Sequence, residues 1–400
     1  MKPLNSIVVE TPPSGIRRFF DVASRMQNVV SLGVGEPDFA TPWRIRESAI
    51  YALERGYTTY TSNAGLISLR KAIVQNIEER YGVSYSPETE CIVTVGVSEG
   101  VDIAVRALLN PGDEVIYHEP SYVSYDPTIR FAGGAAIAVP TTAADGFRVS
   151  AAALEAAVTP RTKALFLSSP CNPTGAVQQR SDLEQIVDVA VRHDLYLIVD
   201  EVYDRLTYHG VHTCMASIPA ARPRTILLNG FSKAYAMTGW RLGYVCAPPE
   251  ITEQMLKIHQ YTMLCAPHVA QYAAIEALQN GESDVRAMVT DYDRRRRFFV
   301  RGLEAMGLRC HAPDGAFYAF PSIASTGMTA EAFADELLQE ERVAVVPGTA
   351  FGAGGEGHVR CSYATSLAQL DEALRRIRRF LERRGCLPVG QDGRPMEVQA

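Results

Sequence analysis

The chain has 400 residues, 47% of them hydrophobic and 21% charged, with a formal net charge of −6. That length exceeds one typical core, so two structural domains are expected. The acidic balance argues against a nucleic-acid surface, which needs a basic stripe.

The eight cysteines are scattered and form no Cys-x-x-Cys pair, so no zinc site and no disulfide framework is signalled. Free thiols suit a reducing cytosol. The opening MKPLNSIVVETPPSG lacks the apolar core of a signal peptide, and no apolar run approaches the roughly 20 residues of a membrane span. A cytoplasmic protein without a membrane partner or bound metal is expected.

In chain order, residues 1–14 read as an extended arm broken by Pro12 and Pro13, followed by a short amphipathic helix from Gly15 to Met26. Ser31-Leu32-Gly33-Val34-Gly35-Glu36-Pro37-Asp38-Phe39 is a punctuated loop, and Arg44–Arg55 and Leu66–Tyr81 are predicted helices. From Cys91 apolar runs alternate with helical patterns. Strands are predicted at Cys91–Val95, Glu114–Tyr117, Ala135–Val139, Ala164–Ser168, Tyr196–Val199, Thr225–Leu228 and Leu242–Cys246. Helices are predicted at Ser98–Leu109, Tyr122–Ala132, Ser150–Ala157 and Ser181–His193. Most of the strands are short and lack polar alternation, as strands covered on both faces do. The alternation implies an open, mostly parallel α/β sheet. Ligands on such sheets lie outside the carboxyl ends of the strands.

Beyond Pro249 helices are predicted at Ile251–Met263, His268–Leu278 and Asp284–Met306. A smaller α+β unit follows, with strands near Ala316–Phe320, Val343–Val346 and Val359–Cys361 and helices Ala330–Glu340 and Leu367–Arg384. The expected division is 1–43 as an arm and part of the small domain, 44–285 as the large domain, 286–385 as the rest of the small domain, and 386–400 as a disordered tail. The basic runs Arg294–Arg297 and Arg375–Arg384 read as solvated helix faces.

Chemistry concentrates in Asn229-Gly230-Phe231-Ser232-Lys233-Ala234-Tyr235-Ala236-Met237-Thr238-Gly239-Trp240-Arg241. A lysine enclosed by small and aromatic residues loses its charge readily, and a neutral lysine amine attacks aldehydes. Ser232 and Arg241 offer a hydroxyl and a planar cationic fork, which suit a phosphate. An aldehyde carrying a phosphate suggests pyridoxal 5′-phosphate (PLP). The same stretch also reads as a core loop with a snorkelling lysine. Ser169-Pro170-Cys171-Asn172-Pro173-Thr174-Gly175 follows a predicted strand, and Asp200-Glu201-Val202-Tyr203 ends the next one. Thr94-Val95-Gly96-Val97-Ser98-Glu99-Gly100 is a strand, a small-residue turn and a helix start, whose free N–H groups can receive an anion.

This ordered set resembles the class I/II aminotransferases of PLP fold type I, and within them the bacterial aspartate and aromatic aminotransferases. The matching motifs are Asn-Pro-Thr-Gly at 172–175, Asp-x-x-Tyr at 200–203, Ser-Lys-x-x-x-x-x-Gly-x-Arg at 232–241, Gly35-Glu36-Pro37-Asp38, and Arg360-Cys361-Ser362-Tyr363-Ala364. The resemblance runs from about Ser14 to Arg384. It implies a large domain with a mostly parallel seven-stranded sheet and a smaller α+β domain.

By the same resemblance Lys233 joins the cofactor aldehyde and later carries the α-proton, and Asp200 pairs with the ring nitrogen. Tyr203 and Asn172 bond the ring's phenolic oxygen, and Tyr122 stacks on the ring. Val97, Ser98, Glu99, Ser232 and Arg241 hold the phosphate, Ser98 and Glu99 largely through backbone N–H groups, and Tyr60 reaches the phosphate of a neighbouring subunit in a homodimer. Arg360, with Gly35 and Asn172, takes the substrate α-carboxylate. The implied reaction moves the amino group of an L-amino acid, aspartate or aromatic, to a 2-oxo acid such as 2-oxoglutarate by a ping-pong mechanism.

Two departures stand out: Cys171 replaces an expected asparagine, and no arginine answers to a second substrate carboxylate. Arg17 and Arg18 lie near the expected entrance but read as a solvated helix face, so aromatic or other apolar side chains fit the pattern as well as acidic ones. A cysteine-S-conjugate β-lyase on the same scaffold is one alternative. A non-enzymatic regulator of this fold is another; such proteins carry a basic DNA-binding domain, for which the segment before Gly15 is too short.

Overall fold

The seven apolar runs between Cys91 and Cys246 assemble into one sheet. In the computed structural model, which describes residues 2–16 and 26–388, its strands are β2 (Cys91–Thr94), β3 (Glu114–Glu119), β4 (Ala135–Pro140), β5 (Thr162–Ser168), β6 (Tyr196–Asp200), β7 (Thr225–Gly230) and β8 (Gly243–Cys246). A two-residue β1 (Val30–Ser31) precedes them. The strand order is β2-β8-β7-β6-β5-β3-β4. The pairs from β4 through β7 are parallel, whereas β8 is antiparallel to both β7 and β2.

Successive side chains leave opposite faces of a strand, and both faces here are covered. Phe166, Ile198 and Ile226 pack with Val101, Val105 and Met255 on one side. Leu165, Leu167, Leu197 and Val199 pack with Leu183, Ile186 and Val187 on the other. Each such residue contributes about 1.5–3 kcal/mol by leaving water, which is why these strands carry no polar alternation.

Because β5, β6 and β7 are parallel and in close register, with Ser168 beside Asp200 and Asp200 beside Leu228, their carboxyl ends open on one edge. The helix Val97–Leu108 begins there as well, after Gly96 at φ +76°.

The second unit holds a three-stranded sheet in the order β11-β12-β9, from β9 (Tyr318–Ala319), β11 (Val346–Pro347) and β12 (Val359–Ser362). The single strand predicted over Val343–Val346 is two. β10 (Val343–Ala344) pairs in parallel with β1, while β11 pairs antiparallel with β12, so the chain changes sheets at buried Val345. The β1–β10 pairing joins the N-terminal segment to the C-terminal unit.

Three further expectations are corrected. Residues 6–10 form a short helix rather than an extended arm, capped by Asn5, whose Oδ1 accepts from the Ile7 N–H at 3.0 Å. Arg295 and Arg296 are buried rather than solvated. Carboxylates compensate their burial: Arg295 meets Asp38 and Asp291, and Arg296 meets Asp293. Cys386 and Leu387, at the start of the expected tail, pack against the core. The helix expected over Gly15–Met26, with Arg17 and Arg18, falls largely outside the described residues, as does the rest of the tail.

Candidate active site

A pocket of about 490 Å³ opens at the carboxyl ends of β5 to β7 and is closed from the other side by Gly35, Tyr318 and Arg360. Lys233 lies on the irregular stretch after β7. That stretch is fixed by buried Phe231 and Met237 and by Thr41, whose hydroxyl donates to Ala236 O at 2.6 Å and accepts from Trp240 Nε1 at 3.0 Å. Lys233 Nζ donates to Gly35 O at 2.7 Å. Burial pushes its pKa down to about 8, helped by the positive charge of Arg360 and opposed by Glu36 and Asp200. A large neutral fraction is therefore present at mildly alkaline pH.

Asp200 is buried at the end of β6. Its Oδ2 accepts from the Tyr125 hydroxyl at 2.8 Å and its Oδ1 from the Val202 N–H at 3.1 Å. Burial nevertheless raises its pKa to about 6, against the lowering effect of those bonds and of Lys233. Neutral donors alone do not hold this carboxylate in its ordinary range, and a cationic N–H in the pocket would.

Anion-binding groups gather at the next corner. The first N–H groups of the helix Val97–Leu108 have no intrahelical partner. The Ser98 and Ser232 side chains and Arg241 line the pocket around them. Two glycines permit this approach. A Cβ on Gly96 would stand 2.7 Å from Arg241 Nη2, and one on Gly243 would stand 2.7 Å from Val97 N. Glu99 departs from the others: its side chain turns away, accepting from the Val95 N–H at 2.5 Å and meeting His259 Nδ1 at 2.5 Å. Only its backbone faces the anion corner.

Arg360, 1% exposed, occupies the opposite wall. Its guanidinium meets neutral acceptors, Asn172 Oδ1 at 3.0 Å and Gly33 O at 2.5 Å, while its Nε has no partner among the described residues. Tyr318 and Phe351 lie under the cation, at 4.5 and 4.9 Å. A buried guanidinium with free donors and no carboxylate beside it among the described residues suits an incoming carboxylate.

The residue types fit PLP: a depressed lysine, a carboxylate short of a cation, an anion cradle with hydroxyls and a guanidinium, and Tyr122 on the pocket wall. The structure brings together Gly35, Val97, Ser98, Tyr122, Asn172, Asp200, Tyr203, Ser232, Lys233, Arg241 and Arg360. Tyr60 is not among them; it is 79% exposed on this chain. Tyr125 and Tyr318 are among the pocket residues that escaped the sequence reading. Tyr125 opens the helix Tyr125–Phe131 three residues after Tyr122, and the two rings meet edge to face at 5.6 Å. Tyr318 carried no local signal; its place follows from the pairing of β9 with the strand carrying Arg360, with Ser362 beside Tyr318.

A family model for aminotransferase class I and II matches residues 27–377. The chain is 46% identical over 372 residues to an aspartate aminotransferase of Pyrococcus abyssi, covering 92% of this chain and 96% of that protein. It is 43% identical over 373 residues to aromatic-amino-acid aminotransferase 2 of Thermococcus litoralis, covering 92% and 96% respectively. A solved structure of Thermus thermophilus aspartate aminotransferase with maleate superposes with a TM-score of 0.91 at 40% identity, covering 95% of this chain and all of that one (100%). With the pocket and these likenesses together, the chain belongs to the class I and II aminotransferases and is a transaminating enzyme.

Proposed function

We propose that the pocket binds PLP at Lys233 and transfers the amino group of an L-amino acid to a 2-oxo acid in two half-reactions. The observation that carries this is Lys233 itself, pushed down to about 8 inside a pocket that also holds Asp200 and the anion corner. When bound, PLP supplies an electron-accepting ring that stabilises negative charge at the substrate α-carbon and carries the amino group between substrates.

The chain's own groups do the rest. Backbone N–H groups at Val97, Ser98 and Glu99, the Ser98 and Ser232 hydroxyls and Arg241 hold the phosphate. Asp200 keeps a proton on the ring nitrogen, and Tyr125 and Val202 hold that carboxylate in place. Tyr203 and Asn172 donate to the ring's phenolic oxygen, and Tyr122 covers the ring face. Arg360, with Gly35 and Asn172, grips the substrate α-carboxylate. Lys233 Nζ, as a neutral amine, removes and returns the proton at the α-carbon, a transfer worth typically 100- to 10,000-fold when the base is positioned.

Aspartate or an aromatic amino acid is the proposed donor and 2-oxoglutarate the proposed acceptor, in line with the aspartate and aromatic relatives. The small domain comprises 1–43 and 286–385, around a large domain at 44–285; the β1–β10 pairing supports that division. The enzyme acts in the cytoplasm as a homodimer. Exposed Tyr60, Tyr261, Met263 and Leu264 support an association surface, since such apolar groups commonly mark one.

The test mixes the PLP-loaded enzyme with each amino acid and follows the visible absorbance of the cofactor. Bleaching by aspartate or an aromatic amino acid, reversed by 2-oxoglutarate, is the expected outcome. Pyruvate release without net bleaching would instead identify a β-lyase.

A further inference from the structure

Tyr318 stands where the two halves of the pocket meet. It lies on β9, fully buried, and its hydroxyl is 2.7 Å from that of Tyr203. Its ring lies against the Arg360 guanidinium, 4.5 Å from the cation to the ring centre. On its far side the hydroxyl approaches Gly35 so closely that a Cβ there would stand 2.9 Å from it. Tyr318 thus touches the carboxylate clamp, the Gly35 loop and the phenol that faces the cofactor site.

A phenol has one proton to donate and lone pairs with which to accept. Either oxygen of the Tyr203–Tyr318 pair can be the donor. If Tyr203 gives its proton to Tyr318, none is left for a cofactor oxygen. If Tyr318 gives its proton to Tyr203, the Tyr203 proton is free to point into the pocket. A hydroxyl that accepts a bond is also a better donor, because bonds in a chain polarise one another. The attraction between the Arg360 cation and the ring face holds the Tyr318 ring, and so its hydroxyl, in place. Burial pushes both phenols above their ordinary range, so both stay protonated near neutral pH.

We propose that Tyr318 is a positioning residue for transamination, donating to Tyr203 and thereby turning the Tyr203 proton toward the cofactor's phenolic oxygen. This rests on PLP occupying the site as described above.

The test is a pH titration of the visible absorbance in the PLP-loaded wild type, Tyr318→Phe, Tyr203→Phe and the double variant, with melting temperatures measured alongside. Tyr203→Phe raises the midpoint, because the phenolic oxygen loses a donor. Tyr318→Phe is expected to raise it in the same direction by a smaller step, about 0.5 to 1 pH unit, the size of one ordinary hydrogen bond. In the Tyr203→Phe background the second substitution should move nothing further, since Tyr318 acts only through Tyr203. An unmoved midpoint in Tyr318→Phe, with or without a lower melting temperature, would mark a packing role and overturn the proposal. So would a full, additive shift in the double variant. A wild type that gains no visible absorbance with PLP would overturn the site assignment itself and this proposal with it.

Discussion

Two regions of this molecule treat charge in opposite ways. Along the last helix, Leu367–Arg383, and just beyond it, cations are matched with anions. Arg379 and Arg383 reach Glu341, and Arg384 reaches Glu336 and Glu340. Hydrogen bonds from Arg384 and Arg383 pull Glu340 down to about 2. In the pocket, Asp200 and Arg360 are more deeply buried, yet among the described residues each hydrogen-bonds only with neutral groups. Leaving a buried charge without an opposite charge is costly. The matched charges serve the fold; in the proposed function the unmatched ones receive ligands of complementary charge.

The comparison can be broken at several points. Lys233→Ala should abolish transamination, by about 10,000-fold or more, because the variant loses both its proton carrier and its cofactor attachment. Steady-state assays together with loss of the visible absorbance check this.

Asp200→Asn should lower kcat by about 100- to 1,000-fold, the scale of losing a well-placed electrostatic partner. It should also do the reverse for the stability of the cofactor-free protein. The Asp200 pKa is raised from 3.8 to about 6, so between those values the folded state binds more protons than the unfolded state. Stability therefore falls as pH rises through that window, and the full penalty is present above about pH 6. Melting curves should show the asparagine variant more stable than wild type at pH 8, with the gain shrinking toward pH 4. An equal gain at both values would mean that Asp200 is not strained by burial.

Arg360→Lys should raise KM for the amino acid by about 10- to 100-fold while sparing the cofactor absorbance, since an ammonium cannot reproduce the two-pronged grip. An unchanged KM would remove the clamp from this wall. The smallest effect belongs to the matched region. Glu340→Gln should cost under about 1 kcal/mol, less at high salt, because the pair is solvent-screened, and kcat should not change.

Much of this was legible in the chain. Runs such as Leu165–Leu167 and Leu197–Val199 are apolar at every position because the sheet is covered on both faces, and that rule is local. That Asn172, Asp200, Tyr203 and Lys233 line one pocket was legible because parallel strands deliver successive loops to one edge. What escaped depends on contacts distant in sequence. Arg295 looked solvated because Asp38 lies far away in the chain, and Arg296 because its contacts with Pro313 O and His209 are also distant in sequence. The Glu99 side chain's partner was hidden because nothing near it announces His259. Tyr318 was read only as part of a strand, since its role follows from Tyr203 and Arg360 standing beside it. The split at Val345 was hidden because the segments flanking it are only two residues each and equally apolar.

The pairing of β1 with β10 also bears on how the protein is made. As the chain leaves the ribosome, every strand of the large sheet has emerged once Cys246 is out, and domains generally form as units in order of synthesis. The anion corner, Asp200 and Lys233 all belong to that early part. Val30 and Ser31 are among the first residues synthesised, but they wait for Val343 and Ala344 before they can pair. Arg360 follows later still. In the proposed function, a nascent chain thus gains the groups that hold the cofactor before the one that grips a substrate.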